Sequence, residues 1–457
     1  MTYFFETYGC QMNSAESAAL VLDLKERNWV AAACGASADL VIINTCSVRV
    51  TAEKRAFGRI AHYASIKKKL AKAADRGRRL AIVVAGCMAQ RLGEGLKEKY
   101  PEVDYVMGTS GRSMFPVILQ AAEEQKEEIL PDFLQNAAFS FSASHLEEGQ
   151  FRSFVPIMHG CNNFCSYCIV PYVRGSEVSR SPKSITEEIR LVGQRGVREI
   201  TLLGQNVNSY NWKDNDGTAG ENALDFSGLL ELAAEEACKN GIRRLRFLSA
   251  NPKNFSAETI KIMAKNPIFC RHLHLPVQHG SNSVLKAMNR GYTKERYLEL
   301  VGEIRSAMPG ITISTDILVG FPGETEACLE QTLELMEKIK FIYAFMYHFN
   351  PREGTAAWDL PNRISEDVKK QRLAKVIDLQ KKHTKEMLKS RIGSVEQVLV
   401  EGISKKNADE LITRTEKDEM VVVPGSPYMI GAFAELTLSS LRGNTFRAKE
   451  LIPCHGA

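Results

Sequence analysis

Short apolar runs and helical patterns take turns along almost the whole chain. Runs at 3–8, 40–44 and 80–85 read as strands. Between them lie a helical pattern at 14–27 and a basic segment in which Ala56, Phe57, Ile60, Ala64 and Ile66 form an apolar stripe. After a polar, acidic stretch at 121–150 the alternation resumes, with strand-like runs at 154–158, 199–203, 244–248, 272–275, 311–318 and 344–349. Strand then helix, repeated, predicts a parallel sheet covered by helices. Six such units are too few for a closed eight-stranded barrel, so the central part is expected to be an open, partial (β/α)6 barrel. A basic helical segment at 364–391 leads into β-rich runs at 395–400, 419–423 and 432–438, separated by Gly, Pro, Asn and Ser. That texture suggests a small β-barrel, of which nucleic-acid-binding OB-like modules are one kind. The predicted class is α/β, with a small parallel α/β domain at 1–120, a linker at 121–146, the partial barrel at 147–380 and the small β-barrel at 384–455.

Composition narrows the function classes. With 457 residues, 44% hydrophobic and 25% charged, the chain has the make-up of a globular protein rather than a disordered, collagen-like or disulfide-scaffold one. No apolar run approaches the ~18 residues that span a bilayer, and the first residues lack a basic stretch followed by an apolar one. A cytoplasmic protein without membrane contact is expected. In that reducing compartment eleven cysteines, an odd count, point to metal ligands or catalytic thiols rather than disulfides. The net charge of +5 hides an asymmetry, since 49–79 holds eleven Lys and Arg against Glu53 and Asp75. Such a patch suits a polyanion, although it also suits a solvated helix face. The carboxy-terminal part is balanced, with ten basic and ten acidic residues from 384 on.

The cysteines sort by position. Cys161-Asn162-Asn163-Phe164-Cys165-Ser166-Tyr167-Cys168 places three thiols at i, i+4 and i+7 in a loop after a predicted strand. Three thiolates leave a tetrahedral or cubane centre one ligand short. A structural zinc site would be closed by a fourth Cys or His nearby; His159 is better read as a packing or hydrogen-bonding residue, so an iron–sulfur cluster with an open iron is favoured. Cys10, Cys46 and Cys87 each lie just past the carboxyl end of a predicted parallel strand, in Gly9-Cys10, Thr45-Cys46 and Gly86-Cys87. At one sheet edge they can converge on a second cluster with an open position, or they are buried structural cysteines. Cys34, Cys238, Cys270, Cys328 and Cys454 share no spacing and read as packing residues.

The cysteine loop, with an aromatic residue before its last Cys and a position at the end of the first strand of a β/α series, resembles the radical S-adenosylmethionine superfamily. The resemblance implies a [4Fe-4S] cluster on Cys161, Cys165 and Cys168. The methionine amine and carboxylate of S-adenosylmethionine would bind its open iron, and reductive cleavage would yield a 5′-deoxyadenosyl radical. Gly204-Gln205-Asn206-Val207-Asn208 occupies the place of the methionine-amine motif, with Gln in place of its common Glu. Leu275-Pro276-Val277-Gln278-His279-Gly280 ends a later strand, and Asp316-Ile317-Leu318-Val319-Gly320-Phe321-Pro322-Gly323-Glu324 is similar to the adenosine-facing motif. Expected cofactor contacts are therefore Tyr167, Gly204, Gln205, Asn206, Gln278, Asp316 and Phe349. Arg174 and Arg180, just after the loop, are expected to face cofactor or RNA in preference to forming salt bridges.

Over essentially its whole length the chain resembles the methylthiotransferase family. Its last part is similar to the RNA-binding TRAM domain at Val400-Glu401-Gly402-Ile403-Ser404-Lys405-Lys406 and Leu441-Arg442-Gly443. The family implies a second [4Fe-4S] cluster on Cys10, Cys46 and Cys87 that carries the sulfur. One S-adenosylmethionine methylates it and another supplies the radical that lets methylthio replace a C–H. All six of these cysteines are thus expected to be catalytic metal ligands. Gly9-Cys10-Gln11-Met12-Asn13, Asn44-Thr45-Cys46-Ser47-Val48-Arg49 and Gly86-Cys87-Met88-Ala89-Gln90-Arg91 most resemble the branch acting on N6-isopentenyladenosine at position 37 of tRNA. That base lies in the anticodon loop and is modified at C2; the basic segment would attract RNA phosphates. An electron donor such as flavodoxin or ferredoxin, sulfur or cluster delivery proteins and a monomeric state are implied too. The alternatives are the same chemistry on threonylcarbamoyladenosine or a ribosomal-protein aspartate, a non-enzymatic iron–sulfur or zinc RNA-binding protein, and a single-cluster radical methylase.

Overall fold

The computed structural model describes residues 1–48, 50–72, 79–124, 149–213 and 223–454. Most of the expected linker, along with Arg49, Asp75, Arg76 and Arg78 of the basic segment, lies outside them. The first unit is a five-stranded parallel sheet in the order Val30–Ala31, Thr2–Thr7, Leu40–Thr45, Ala81–Gly86, Tyr105–Met107. Leu40–Thr45 is buried along its whole length because helices cover both faces, which is why it reads as a continuous apolar run. Leu40 and Ile42 pack toward helices Gln11–Glu26 and Phe115–Glu123, while Val41 and Ile43 face Val50–Lys72.

The central unit has six parallel strands, as expected, in two three-stranded pieces. Arg152–Pro156, Glu199–Leu203 and Arg244–Phe247 form one piece, and His272–His274, Thr312–Val319 and Ala344–His348 the other. A single bridge between Leu245 and Phe269 joins them, so the first and last strands are the two open edges. Val155, Ile200, Leu245, Leu273, Ile313 and their neighbours form the core beneath the outer helices. Helices Pro182–Gln194, Phe226–Lys239, Ala257–Lys265, Lys294–Ala307 and Glu326–Ile339 each start on a Ser, Asp or Thr side chain that accepts a first-turn N–H. The alternate strand residues face inward and are largely polar: Glu199, Arg244, Arg246, His272, His274, Ser314 and Asp316. A closed eight-stranded barrel would fill this space with branched aliphatics.

The floor of the barrel is a charge cluster. Glu199 Oε1 accepts from Arg152 Nε at 2.9 Å and Arg246 Nε at 3.0 Å, and Arg244 lies 3.7 Å away. Burial pushes the Glu199 carboxyl up, but Arg246, Arg152 and Arg244 more than offset it and hold its pKa at about 2. Arg244 also donates to the carbonyls of Arg414 and Gln397, both at 2.8 Å, and so ties the barrel to the carboxy-terminal unit.

That unit is a seven-stranded sheet following the long helix Glu366–Lys389. Its order is Ser440–Arg442, Thr445–Arg447, Met420–Pro424, Asn407–Thr415, Val395–Ser404, Phe433–Thr437, Ile452–Pro453, antiparallel except for the pair Met420–Pro424 and Thr445–Arg447. Among the described residues no helix is long and apolar enough to cross a membrane.

Candidate active site

The first thiol triad sits on a loop that only a few backbone conformations permit. Gly160 has φ +80 and a Cβ there would collide with the Ser176 carbonyl, while Phe164 takes φ +44 to turn the loop back. Cys161 and Cys165 are buried and Cys168 is half-buried. The Cys161 N–H donates to Gly175 O at 3.1 Å, Cys168 N–H to Cys165 O at 2.9 Å, and Ser166 N–H to Met288 O at 3.1 Å. Arg290, itself buried, donates from Nη1 to Cys165 Sγ at 3.3 Å. Burial pushes the Cys168 thiol up to about 12, with Cys165 and Cys161 adding to the shift. Three thiols that repel one another's charge, in an apolar setting with a guanidinium on one sulfur, suit a cationic iron–sulfur core. Among the described residues no three Cys, His, Asp or Glu side chains are gathered closely enough to hold a metal ion as they stand.

The second triad stands at the carboxyl edge of three neighbouring strands of the first sheet. Cys10 caps helix Gln11–Glu26, Cys46 follows Leu40–Thr45, and Cys87 opens helix Cys87–Leu92 after Ala81–Gly86. Cys10 Sγ donates to Asn13 Oδ1 at 3.2 Å, and the Val48 N–H donates to Cys46 Sγ at 3.3 Å. Asn13 and Asn44 are buried and bonded reciprocally, Asn13 Nδ2 to Asn44 Oδ1 and Asn44 Nδ2 to Asn13 O, both at 3.0 Å. Burial pushes the Cys87 thiol up to about 12; Arg174 opposes the shift, and Glu16, Cys46 and Cys10 add to it. These thiols also sense one another. Gly86, at φ +91, has the Asn44 side chain and the Thr45 carbonyl where a Cβ would go, the latter 2.5 Å away. Gly86→Ala should therefore lower the unfolding free energy by about 1–3 kcal/mol, the cost of a side chain at φ +91 and ψ −161, plus the clash, read by chemical denaturation.

The two triads face a common interface. Met12 and Ala15 pack on Leu203, Phe154 and Leu248, and Cys87 packs on Ile169 and Val173 behind the cysteine loop. Arg174, at the end of helix Val170–Arg174, lies between them: Nη1 donates to Glu16 Oε1 at 2.5 Å and Nη2 to Oε2 at 3.2 Å. Burial works against the Arg174 charge, but Cys87, Glu16 and Cys10 more than offset it. Arg180 is likewise buried and paired with Glu188. Salt bridges, the alternative to a cofactor- or RNA-facing role for these two arginines, are thus present at both: a side chain so deeply buried needs a carboxylate partner, and each has one.

The expected cofactor residues lie at the strand ends around the loop. A Cβ on Gly204 would come within 2.5 Å of Met158 Cγ, so close packing demands glycine. Gln205 Oε1 accepts the Gly160 N–H at 2.6 Å. Asn206 donates to Glu177 Oε1 at 2.8 Å, which also accepts the Asn162 N–H at 3.1 Å, and buried Asn206 Oδ1 has no hydrogen-bond partner among the described residues. Gln278, at φ +71, bridges to the last but one strand through Asp316 O and the Leu318 N–H, at 2.9 and 2.8 Å. Asp316 Oδ1 is 3.5 Å from His274 Nε2. Tyr167 and Phe349 share one apolar cluster with Phe321 and Leu318. Asn13, Glu16, Asn44, Glu177 and Arg290 were not singled out by sequence reasoning. Asn13 and Asn44 stand within three residues of a triad cysteine, in the same short motifs, whereas Arg290 is remote from every cysteine in sequence and gives no signal there.

The basic segment forms helix Val50–Lys72, but part of its charge is engaged at home. Arg59 pairs with Glu6 at 2.7 Å, Lys67 with Asp104 at 2.5 Å and Lys68 with Glu102 at 2.8 Å, while Lys54, Arg55, Lys69 and Lys72 are exposed or half-exposed.

Residues 155–336 match the Radical SAM superfamily, 2–108 the Uncharacterized protein family UPF0004 and 389–449 the TRAM domain. The radical S-adenosylmethionine methyltransferase TsrM from Kitasatospora setae, solved with cobalamin and a [4Fe-4S] cluster, shares the fold with a TM-score of 0.56 at 15% identity, covering 78% of this chain and 77% of that one. A tRNA-2-methylthio-N(6)-dimethylallyladenosine synthase of Treponema pallidum is 47% identical over 98% of both chains. One of Geobacter metallireducens is 42% identical over 95% of both. With family models matching along all three units and this full-length identity, the chain belongs to the radical S-adenosylmethionine family of tRNA-2-methylthio-N(6)-dimethylallyladenosine synthases.

Proposed function

We propose that the chain replaces the C2 hydrogen of N6-isopentenyladenosine at position 37 of tRNA with a methylthio group. The single observation that supports this reading is that Cys87 packs on Ile169 and Val173, just behind the cysteine loop, with buried Arg174 beside Cys87 and Cys10. Cys161, Cys165 and Cys168 would hold the [4Fe-4S] cluster of the superfamily, and Cys10, Cys46 and Cys87 a second one. When bound, these groups and S-adenosylmethionine supply a 5′-deoxyadenosyl radical and a methylated sulfur to be captured. The chain's own residues hold and shield them. Arg290 and the Val48 N–H donate to ligand sulfurs, which moderates their charge, and the interface around Ile169 and Val173 excludes water. Gln205 and the Glu177–Asn206 pair brace the cysteine loop from the neighbouring strand end, and Tyr167, Gly204, Gln278, Asp316 and Phe349 would contact the cofactor.

The substrate reading rests on the likeness to relatives named for that product. Residues 1–120 would carry the sulfur, 147–380 generate the radical and 384–455 bind RNA, in a monomer served by a flavodoxin- or ferredoxin-like donor and by sulfur or cluster delivery proteins. Lys54, Arg55, Lys69 and Lys72 remain available for phosphates. Lys69→Glu/Lys72→Glu should weaken tRNA binding and reduce the slope of log K against log salt by about 1 for each phosphate no longer neutralised, measured by filter binding from low to high salt. Nucleoside mass spectrometry on tRNA from cells with and without the protein tests the function. Loss of the 2-methylthio nucleoside with accumulation of N6-isopentenyladenosine is expected; unchanged methylthioadenosines would overturn it.

A further inference from the structure

The last barrel strand, Ala344–His348, and its flanks carry an aromatic at every second position: Tyr343, Phe345, Tyr347 and Phe349. Ala344 and Met346 pack into the core under the helices, so the aromatic row lies on the opposite face, inside the barrel. Both ends of the row are held. The Tyr343 ring stacks on His272, and its hydroxyl lies 2.9 Å from His272 Nε2. Phe349 is buried edge-on to Phe321, in the cluster that receives Tyr167 of the cysteine loop. Between these ends Phe345 is 45% exposed and Tyr347 42%. Phe345 already meets Tyr343 and His274 edge-on, each with centroids 5.7 Å apart, which fixes its ring and leaves area for a further contact.

Large aromatics exposed on a concave inner wall, between two buried ends, are what a flat apolar ligand covers. Two observations choose the ligand. This strand is one open edge of the partial barrel, and the strand that leads into the cysteine loop is the other, so the aromatic row stands at the side of the barrel that no further strand among the described residues closes. The row also ends on the residue that packs with the loop, so a group stacked in mid-row lies inside the same chamber. We infer that Phe345 stacks on the substrate adenine, with Tyr347 against its N6 prenyl group, and that these two residues set the preference for a prenylated base. The inference rests on the substrate reading above.

The test uses the full chain, anaerobically reconstituted, and two anticodon stem–loop RNAs that differ only in carrying N6-isopentenyladenosine or adenosine. Wild type should bind the prenylated loop more tightly. Phe345→Ala should weaken binding of both loops by about tenfold or more, with Phe345→Leu, which keeps bulk but no ring, recovering little and Phe345→Tyr recovering most, whereas Tyr347→Ala should bring the two loops close together. Affinity for S-adenosylmethionine, measured by equilibrium dialysis on the same samples, should not change; that control also reports a variant that fails to fold. Unchanged RNA affinity in Phe345→Ala, or a loss of S-adenosylmethionine affinity with RNA affinity kept, overturns the inference while the substrate reading stands. If wild type itself does not prefer the prenylated loop, the substrate reading fails and the inference with it.

Discussion

Replacing Cys161, Cys165 and Cys168 with Ala is expected to reduce 5′-deoxyadenosine formation to background, whereas replacing Cys10, Cys46 and Cys87 should leave it measurable and stop methylthio insertion. Position accounts for the difference. The first triad lies on the loop beside Gln205, Asn206 and Glu177, whose hydrogen bonds form a continuous link from Gly160 and Asn162 to the next strand end. The second is held by a different sheet and by the Asn13–Asn44 pair. Each triad thus has its own supports, so either can be emptied without dismantling its neighbour's. Liquid chromatography of deoxyadenosine and of the modified nucleoside, run on the same reaction, separates the two outcomes. If deoxyadenosine persists in the first variant, the radical function has been given to the wrong triad.

Glu16→Ala should be the most destabilising single change at the interface. It leaves the Arg174 guanidinium, 3% exposed, without its carboxylate, and loss of one member of a buried pair costs about 3–5 kcal/mol. Arg174→Met should cost less, because the Glu16 side chain is 17% exposed and its carboxylate can turn toward water. The double variant Glu16→Ala/Arg174→Met should recover most of the loss, since a flexible apolar chain can fill the space with no charge left unpaired. Midpoints of chemical unfolding for the four proteins check this order. Equal losses for both single variants with no recovery in the double would show that the pair does not join the two units.

The sequence was most legible where one physical rule dominated. Leu40–Thr45 reads as a strand because both of its faces are covered, and the six cysteines stood out because each follows a strand or shares a loop. The strand Asn407–Thr415 was missed: its first residues, Asn-Ala-Asp-Glu, are exposed or half-exposed, and only Leu411, Thr413 and Thr415 face inward. The basic segment was readable as a helix, but the ion pairs that engage part of its charge were not. Pairing with Glu6, Glu102 and Asp104 depends on chain segments that tertiary packing brings beside it. The same limit hid Glu16 and Arg290, whose roles are set by partners more than a hundred residues away, Arg174 and Cys165. Arg180 shows the reverse: its partner Glu188 is eight residues on, at a spacing compatible with a local pair.

Iron content per chain after anaerobic reconstitution tests the two-triad account most directly. Two four-iron clusters require about eight irons in the wild-type protein and about four when Cys10, Cys46 and Cys87 are all Ala. A wild-type value of about four, unchanged in that variant, would contradict it.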